Sequence, residues 1–133
     1  MANAIYPRYK EALLTGDSNI SLTSGTIKVA LVDTGTYTYS GNNQFYANLS
    51  GVTANSGALA SKAVTNGYFT TGNAEFTAVS GNQSEALVIY IDTGVTTTSR
   101  LVAYLDTNVT GLPVTPNGGD ITVVANTSGW FLL

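Results

Sequence analysis

Three hydrophobic segments of this chain end in Asp-Thr followed by glycine or asparagine. The motifs begin at Asp33, Asp92 and Asp106, and each follows two apolar or aromatic residues. An aspartic protease presents its catalytic carboxylate in a similar segment, and that carboxylate must share one proton with a second one. The repeat therefore has two interpretations. In the first, the chain is a protease that pairs two catalytic carboxylates, either by dimerising or by pairing Asp33 with Asp92 internally. In the second, three strands end in similar turns.

The residues around each motif favour the turn interpretation. The protease pattern has a small residue after the glycine, whereas Thr36 and Val95 follow here, and its later apolar-apolar-glycine element is missing. An aspartate at a strand end accepts a hydrogen bond from the N–H two residues on, and glycine or asparagine then supplies a positive φ. Asn108 in the third copy suits a turn equally well. We therefore predict no catalytic residue and no enzyme activity, with Asp92 and Asp106 ending the two most buried strands.

The composition favours a protein that lies against other proteins. The chain has 133 residues, enough for one domain, with 44% hydrophobic and only 10% charged residues. A typical soluble domain has about 25% charged residues. A surface this poor in charge suits contact with other protein, although a secreted β-domain covered in threonine, serine and asparagine is an alternative.

Charge and residue types exclude several functions. The net charge is −3, and the five basic residues are scattered, so we expect no nucleic-acid partner. The absence of cysteine and histidine excludes disulfides, thiol catalysis and His/Cys metal sites. The loops around Asp17 and Asp120 lack calcium-loop spacing, so we predict no metal and no cofactor. Apolar runs of about seven residues are too short for a membrane span, and the first residues do not have the pattern of a secretory signal.

Only the beginning of the chain has a helical pattern. Pro7 suits a first helical turn, and Tyr9, Ala12 and Leu13 have the spacing of one helix face. The remainder is rich in β-formers separated by glycine, asparagine and serine. The predicted strands are Thr26–Asp33, Gln44–Leu49, Leu59–Val64, Tyr68–Thr71, Ala74–Val79, Ala86–Asp92, Arg100–Asp106 and Asp120–Ala125, with a short one possible in Gly129–Leu133.

These elements predict an all-β fold. About eight short strands without helical crossovers indicate an antiparallel β-sandwich, with a jelly roll favoured and an immunoglobulin-like sandwich second. Residues 1–16 form an N-terminal segment with a short helix, and residues 17–133 form a single β-sandwich domain. The runs 86–91 and 101–105 are apolar on both faces, which predicts antiparallel neighbours covered on both sides. The Asn66-Gly67 pair predicts a tight hairpin.

Two groups of aromatic residues could contact a ligand or partner. Tyr37, Tyr39, Phe45 and Tyr46 lie around a glycine-containing loop, where they stack on sugars, contact a protein or pack the loop back onto the domain. The C-terminal run 129–133 is strongly apolar and must be covered. We favour burial within its own domain over burial against a partner.

The order of these segments resembles a known group of viral proteins. The residues that carry the resemblance are IKVALVDT at 27–34 after a short helix, YIDTG at 90–94, SRLVAYLD at 99–106, GGDITV at 118–123 and SGWFL at 128–132. Together they resemble small capsid cement, or decoration, proteins of tailed bacteriophages, which have a jelly-roll fold. The resemblance spans nearly the whole chain and transfers no catalytic residue. Residues 41–57 depart from it.

The resemblance implies a protein that binds the outside of a phage capsid and stabilises it. The implied partners are the major capsid protein and further copies of the chain, as a dimer or trimer, and the implied location is the capsid surface after synthesis in the host cytoplasm. We expect residues 2–10 to dock onto the shell and an apolar edge or the C-terminus to mediate self-association. The candidate partner-binding residues are Tyr6, Arg8, Tyr9, Lys10, Trp130 and Phe131. The alternatives are a tail, neck or head-fibre component of the virion and a carbohydrate-binding β-sandwich module.

Overall fold

The computed structural model describes residues 3–133, which form antiparallel β-sheets and one short helix. In chain order the elements are β1 (Ala4–Ile5), α1 (Pro7–Thr15), β2 (Thr26–Val32), a 3₁₀ turn (Tyr46–Asn48), β3 (Val52–Asn55), β4 (Ala63–Thr65), β5 (Tyr68–Thr70), β6 (Ala74–Phe76), β7 (Ala86–Asp92), β8 (Arg100–Leu105), β9 (Ile121–Val123) and β10 (Phe131–Leu132).

The strands form one large sheet and two small ones. The large sheet has the order β1-β8-β7-β2-β3, and every pair in it is antiparallel. A three-stranded sheet has the order β10-β5-β4, and β6 pairs with β9. The described residues therefore contain ten strands in three sheets, more than the eight or so predicted. The all-β prediction with a short N-terminal helix is confirmed.

The centre of the large sheet is buried on both faces. Every residue of β8, and every residue of β7 before Asp92, is buried. One face is covered by α1 and by aromatic residues of the segment between β2 and β3. The same hydrophobic core includes Phe69, Phe76 and Val123 of the small sheets. Because each fully buried Leu, Ile or Val side chain contributes about 1.5–3 kcal/mol, these two strands contribute a substantial part of the stability of the fold.

The helix begins and ends where the sequence predicts. Pro7 occupies its first turn, and Gly16 ends it with a φ of 68°. The N–H of Asp17 then donates to the carbonyl of Ala12 over 3.0 Å. Tyr9 and Ala12 are buried and Leu13 is half-buried, as their spacing predicts. Since β1 pairs with β8, residues 3–16 share the core of the remaining chain.

Several local predictions are confirmed. β2, β5, β7 and β8 match their predicted positions to within one residue, and β7 and β8 are antiparallel neighbours. Asn66 and Gly67 connect β4 to β5 with φ values of 51° and 83°, as the hairpin prediction requires. In β2, Ile27, Val29 and Leu31 are buried, whereas Lys28 is partly exposed.

Several predictions about strands are wrong or incomplete. Leu59–Val64 was predicted as a strand, but β4 begins only at Ala63. β6 and β9 are shorter than the predicted Ala74–Val79 and Asp120–Ala125. The segment 44–49 contains the 3₁₀ turn, because the side-chain oxygen of Asn48 accepts the N–H groups of Gln44 and Phe45. β1 was not predicted. β3 lies in a segment predicted to be a break, and it is extended because it pairs with β2. Gly51 precedes β3 with a φ of 64°, where a Cβ atom would lie 2.9 Å from the carbonyl oxygen of Asp33.

Candidate functional site

The structure separates the two carboxylates that a protease would have to pair. β2 and β7 are antiparallel, with Thr26 opposite Asp92 and Val32 opposite Ala86. Asp33 and Asp92 therefore lie at opposite ends of the large sheet, roughly 20 Å apart for strands of seven residues. The internal pairing of Asp33 with Asp92 is not formed.

Asp33 and Asp92 instead organise the turns predicted for them. Asp33 Oδ1 accepts the N–H of Gly35 over 2.8 Å, and Asp92 Oδ1 accepts the N–H of Gly94 over 2.9 Å. Hydrogen bonds from the Asn82 amide and the Gly35 N–H hold the pKa of Asp33 below its usual value. The positive φ is found at Gly94 (84°) but not at Gly35, so that part of the prediction is wrong for the first copy.

The third Asp-Thr motif, at Asp106, is hydrogen-bonded to Asn3, the residue before β1. The side-chain oxygen of Asn3 accepts the N–H groups of Asp106 and Thr107 over 2.7 and 2.9 Å. Thr107 Oγ1 donates to Asp106 Oδ1 over 3.0 Å, and Asn108 has a φ of 58°. Asp92 is the last residue of β7 and Asp106 directly follows β8, so both lie at the ends of the two most buried strands, as predicted.

The predicted N-terminal docking residues divide into buried and exposed ones. Tyr6 and Tyr9 are only 0% and 1% exposed, because they pack in the core. The hydroxyl groups of Tyr6 and Tyr37 are 2.9 Å apart, and the Tyr9 hydroxyl donates to the carbonyl of Ile20 over 2.8 Å. Burial raises the pKa of Tyr9 to about 12. Their expected role as surface contacts is corrected accordingly, since neither ring reaches the surface.

Arg8 and Lys10 lie on the outer side of the helix. Lys10 is exposed, and Arg8 is partly exposed beside Glu11, with 3.4 Å between Arg8 Nη1 and Glu11 Oε1. Leu14, one turn after Lys10, is 89% exposed. Sequence reasoning missed Leu14 because its type alone favours burial. Ala2, also in the predicted docking segment, lies outside the described residues.

The C-terminal residues pack on their own domain in part. Trp130 and Phe131 are half-buried. Trp130 Nε1 donates to Thr71 Oγ1 over 2.7 Å, and the Phe131 ring lies 5.6 Å from that of Phe69. Trp130 and Phe131 are thus engaged mainly within the domain.

The three-stranded sheet leaves an apolar face uncovered. Tyr68 and Leu132 lie opposite each other on β5 and β10, and they are 43% and 53% exposed. Leu133 is 52% exposed and donates its N–H to the Gly67 carbonyl over 2.9 Å. We call the exposed surface formed by Tyr68 and Leu132, with the adjoining Leu133, the Tyr68 face. Sequence reasoning predicted the apolar C-terminus but not its pairing with β5.

The aromatic loop mostly packs back onto the domain. Tyr37 is buried, and its hydroxyl donates to Asn43 Oδ1 over 2.7 Å. Tyr39 packs against Tyr6 and Tyr104, with ring centroids 5.2 and 5.3 Å apart. These two residues match the third of the alternatives considered for the loop, packing back onto the domain. Tyr46 differs from them.

Tyr46 lies over an open cavity of about 300 Å³, which we call the Asn55 basin. Asn55 Oδ1 accepts hydrogen bonds from the hydroxyls of Tyr46 and Tyr90, both over 3.0 Å. The two rings are 4.8 Å apart at an angle of 54°. Lys28 and Asp92 form the adjacent wall, with 2.8 Å between Nζ and Oδ2. The basin thus combines an aromatic ring, an amide and an ion pair.

Hydrogen bonds keep the Asp92 carboxyl group of the basin ionised. The hydrogen bond from Lys28, followed by the Gly94 N–H, lowers the pKa of Asp92. Burial raises the pKa of Tyr90, and the neighbouring Tyr46 and Asp92 add to this shift. At neutral pH, Asp92 is therefore a carboxylate and Tyr90 a neutral hydroxyl.

A buried arginine lies at the same end of the large sheet. Arg100 is 3% exposed, and its guanidinium carbon lies 5.3 Å from the centroid of the Phe45 ring. Arg100 Nη2 donates to the Ser18 carbonyl over 3.1 Å and lies 3.5 Å from Asp17 Oδ2. Nε and Nη1 of Arg100 are buried and have no hydrogen-bond partner within residues 3–133. This side chain fixes the 17–20 loop on β8.

The acidic loops considered for calcium have structural partners. Asp120 Oδ1 accepts the N–H of Ala78 over 2.8 Å, and Asn117 Oδ1 accepts the N–H of Gly119 over 2.9 Å. Within residues 3–133, no group of three or more acidic residues could hold a metal ion. In the same part of the chain, no helix has the length and hydrophobicity needed to cross a membrane.

No protein-family model matches this chain, and a search of curated protein sequences found no similar sequence.

Proposed function

We propose that this chain is a structural virion protein of a tailed phage, a capsid cement protein that binds the outer shell and stabilises it. The observation that carries the proposal is the uncovered Tyr68 face, beside a central pair of strands that is buried on both sides. Apolar residues exposed together indicate a contact surface. A rigid body with a self-adhesive face suits a protein that acts by bridging others.

The Tyr68 face is proposed to bind other copies of the chain, as a dimer or trimer. Tyr68 and Leu132 carry no side-chain charge, so these side chains of two copies can pack together without repulsion between them. β4 is an outer strand of the same sheet, and its three residues are exposed. An antiparallel edge of this kind pairs with itself about a two-fold axis.

The exposed side of α1 is proposed to contact the major capsid protein. Lys10 and Leu14 are one helical turn apart, so a cation and an apolar side chain face the same way. Arg8 lies on the adjoining surface. Tyr6 precedes this helix and Tyr9 belongs to it, and both side chains are buried in the core. Deleting residues 2–10 would therefore remove part of the core as well as the contact. Point substitutions on the outer side are therefore the sharper test.

We further propose that the fold is a jelly-roll β-sandwich, that the protein is located on the capsid, and that it has no nucleic-acid partner. The shared hydrophobic core of the three sheets supports a β-sandwich of the jelly-roll type, with the small sheets covering the large one. The location is the capsid surface after synthesis in the host cytoplasm. Lys28 is paired with Asp92 and Arg100 is buried, which leaves few cations for a phosphate backbone.

Co-sedimentation tests the shell contact. Purified chain is mixed with empty shells of the major capsid protein from the same genome, and the bound fraction is measured. Combining Lys10→Glu with Leu14→Ser should weaken binding about tenfold or more, the effect of losing ~1.4 kcal/mol. Val95→Ser, which alters an apolar residue that is 54% exposed elsewhere, is the matched control. Equal binding by all variants, or no binding of the unaltered chain, contradicts the proposal.

Cryo-electron microscopy of the virion separates the head from the tail. Density for the chain on the shell supports the cement function. Density at the tail, neck or head fibre supports the alternative virion role.

Sedimentation velocity tests self-association. It should show an oligomer that Tyr68→Ser combined with Leu132→Ser converts to monomer, whereas Val95→Ser does not. A monomeric unaltered chain at about 100 μM, a concentration where weak contacts of micromolar Kd are occupied, argues against the Tyr68 face.

The carbohydrate-binding alternative is favoured by a different observation, the Asn55 basin. It lies on the large sheet and shares no residue with the Tyr68 face or with α1. The two functions can therefore be tested separately.

A further inference from the structure

We propose that the Asn55 basin binds one sugar unit, either as a free monosaccharide or as part of a surface glycan. The basin is open and has a volume of about 300 Å³, at the lower end of the range for small-molecule sites. The proposal rests on the side chains in this cavity and does not depend on attachment to a capsid.

The amide of Asn55 has a fixed orientation that leaves its donor group available. Both tyrosine hydroxyls donate to Oδ1, so the oxygen must face Tyr46 and Tyr90 and the NH₂ group must face away from them. Nδ2 has no hydrogen-bond acceptor among residues 3–133, and Asn55 is exposed. Each tyrosine oxygen also keeps a lone pair that can accept a hydroxyl proton.

Asp92 and Lys28 supply the opposite hydrogen-bonding types in a fixed position. Asp92 Oδ1 accepts the N–H of Gly94 and lies 3.4 Å from the Ser99 hydroxyl, while Oδ2 accepts from Lys28 over 2.8 Å. The side chains of Lys28 and Asp92 remain 31% and 23% exposed. The ammonium has three donors and uses one here, so it can also donate to a ligand oxygen.

Tyr46 supplies an apolar surface beside these polar groups. Its ring is half-buried against Tyr90, which is 4% exposed, so Tyr90 supports the ring from below and the remaining surface of Tyr46 faces the basin. Sugar rings carry hydroxyls at their edge and C–H groups on their faces. A tyrosine ring next to fixed donors and acceptors matches both parts of such a ligand.

The charges select a neutral ligand. Lys28 is neutralised by Asp92, so the basin offers no unpaired cation for a phosphate or carboxylate. No metal-binding group of acidic residues exists within the described part of the chain. A ligand with adjacent hydroxyls can donate to Asp92 while accepting from Lys28 or Asn55. Since the basin is open to water, a single unit binds weakly, and a multivalent glycan binds better when several copies are held together.

Nuclear magnetic resonance titration of the unaltered chain tests the site directly. Glucose, galactose, mannose and N-acetylglucosamine are added separately, and backbone amide shifts are followed. At least one sugar should give saturable shifts at residues 28, 46, 55, 90 and 92–99, with a Kd on the order of 1–10 mM. A glycan array with the same chain reports surface glycans. Saturable shifts support free-sugar binding, and array signal alone supports a surface glycan. The absence of both, or shifts at other residues, overturns the proposal.

Two variants assign the binding to the proposed groups. Asn55→Asp keeps an acceptor for both tyrosines but removes the Nδ2 donor, and it should weaken binding at least fivefold. Asn42→Asp is the matched control, because Asn42 is exposed and its side chain has no hydrogen bond to residues 3–133. If Asn55→Asp lowers the melting temperature, Tyr46→Leu provides an independent loss of ring contact. Unchanged affinity in a folded Asn55→Asp or Tyr46→Leu protein contradicts the assignment.

Discussion

The tripeptide Asp-Thr-Gly occurs at residues 33–35 and 92–94, at opposite ends of the large sheet, and the two copies differ in their surroundings. Among the described residues, the Asp33 side chain accepts hydrogen bonds only from neutral groups, those of Gly35, Thr36 and Asn82. Asp92 makes the same backbone contact but also pairs with Lys28. The tripeptide therefore specifies a turn in both places. The residues on neighbouring strands determine whether its carboxylate is also part of a site.

The largest expected difference between the two ends comes from Arg100. Arg100→Ala removes a buried side chain next to Phe45 and should lower the free energy of unfolding by about 3 kcal/mol. Arg100→Met should cost much less, because it retains volume and removes two buried nitrogens that have no hydrogen-bond partner in the described part of the chain. At the Asp33 end, Glu85→Ala should cost only about 1 kcal/mol, since it removes hydrogen bonds from Thr34 in a partly exposed place.

Urea unfolding of the three variants measures this ranking. The Arg100→Met protein separates the contribution of side-chain volume to stability from that of the guanidinium charge. A loss in Arg100→Met as large as in Arg100→Ala would show that the guanidinium contacts, and not packing, hold this end of the sheet.

The two glycines should respond differently to the same substitution. Gly94 has a φ of 84°, so Gly94→Ala forces an L-residue into the left-handed region and should cost about 1–2 kcal/mol. Gly35 is outside that region, and a Cβ atom there would lie 3.1 Å from Asp33 Oδ1. Gly35→Ala should therefore cost less, because the carboxylate needs to shift by only a few tenths of an ångström. Thermal unfolding of both variants tests the order, and a larger loss at Gly35 contradicts it.

The ion pair at the Asp92 end should show measurable coupling. A double-mutant cycle with Lys28→Met and Asp92→Asn should give a coupling energy of about 0.5–1 kcal/mol, because both side chains are less than one-third exposed. A cycle with Asn82→Ala and Asp33→Asn is the comparison for a neutral partner. If the two cycles give equal coupling, the ionic character of the Asp92 environment contributes nothing.

The smallest effect is the acid dependence of each turn. Both folded-state carboxyl pKa values lie below the usual value, so each aspartate contributes stability above its unfolded pKa near 3.9 and loses that contribution as the pH falls through the lower folded pKa. About 0.5 M salt should raise the pKa of Asp92 more than that of Asp33, because salt screens the pairing with Lys28. Carboxyl carbon shifts measured by nuclear magnetic resonance test this, and equal salt effects contradict it.

Much of the fold follows from local patterns. The apolar runs of β7 and β8, the alternation in β2, the Asn66-Gly67 hairpin and the helix start at Pro7 each contain their own signal. The segment 44–49 does not, because its β-forming residues are held in a 3₁₀ turn by Asn48. β1 and β3 are too short to have a period, and they are strands only because β8 and β2 supply backbone partners.

The sites were less predictable than the fold. An exposed tyrosine and a buried tyrosine look the same in the sequence, so Tyr6 and Tyr9 were expected at the surface and lie in the core. The aromatic residues around the loop identified Tyr46 as a candidate ligand contact. No sequence pattern identified Asn55 or Lys28 as residues of a site. They reach the basin because β2, β3 and β7 are neighbours in the large sheet.

The sequence by itself determined that this is a mostly β protein with little charge, no histidine or cysteine chemistry, and turns at Asp33 and Asp92. These properties depend on residue types and on hydrogen bonds within a few residues. Only the tertiary structure decided that the two aspartates lie far apart, that the N-terminal tyrosines are core, and that Tyr68 and Leu132 form one face. Those facts depend on which strands pair, and strand pairing joins residues that are distant in the chain.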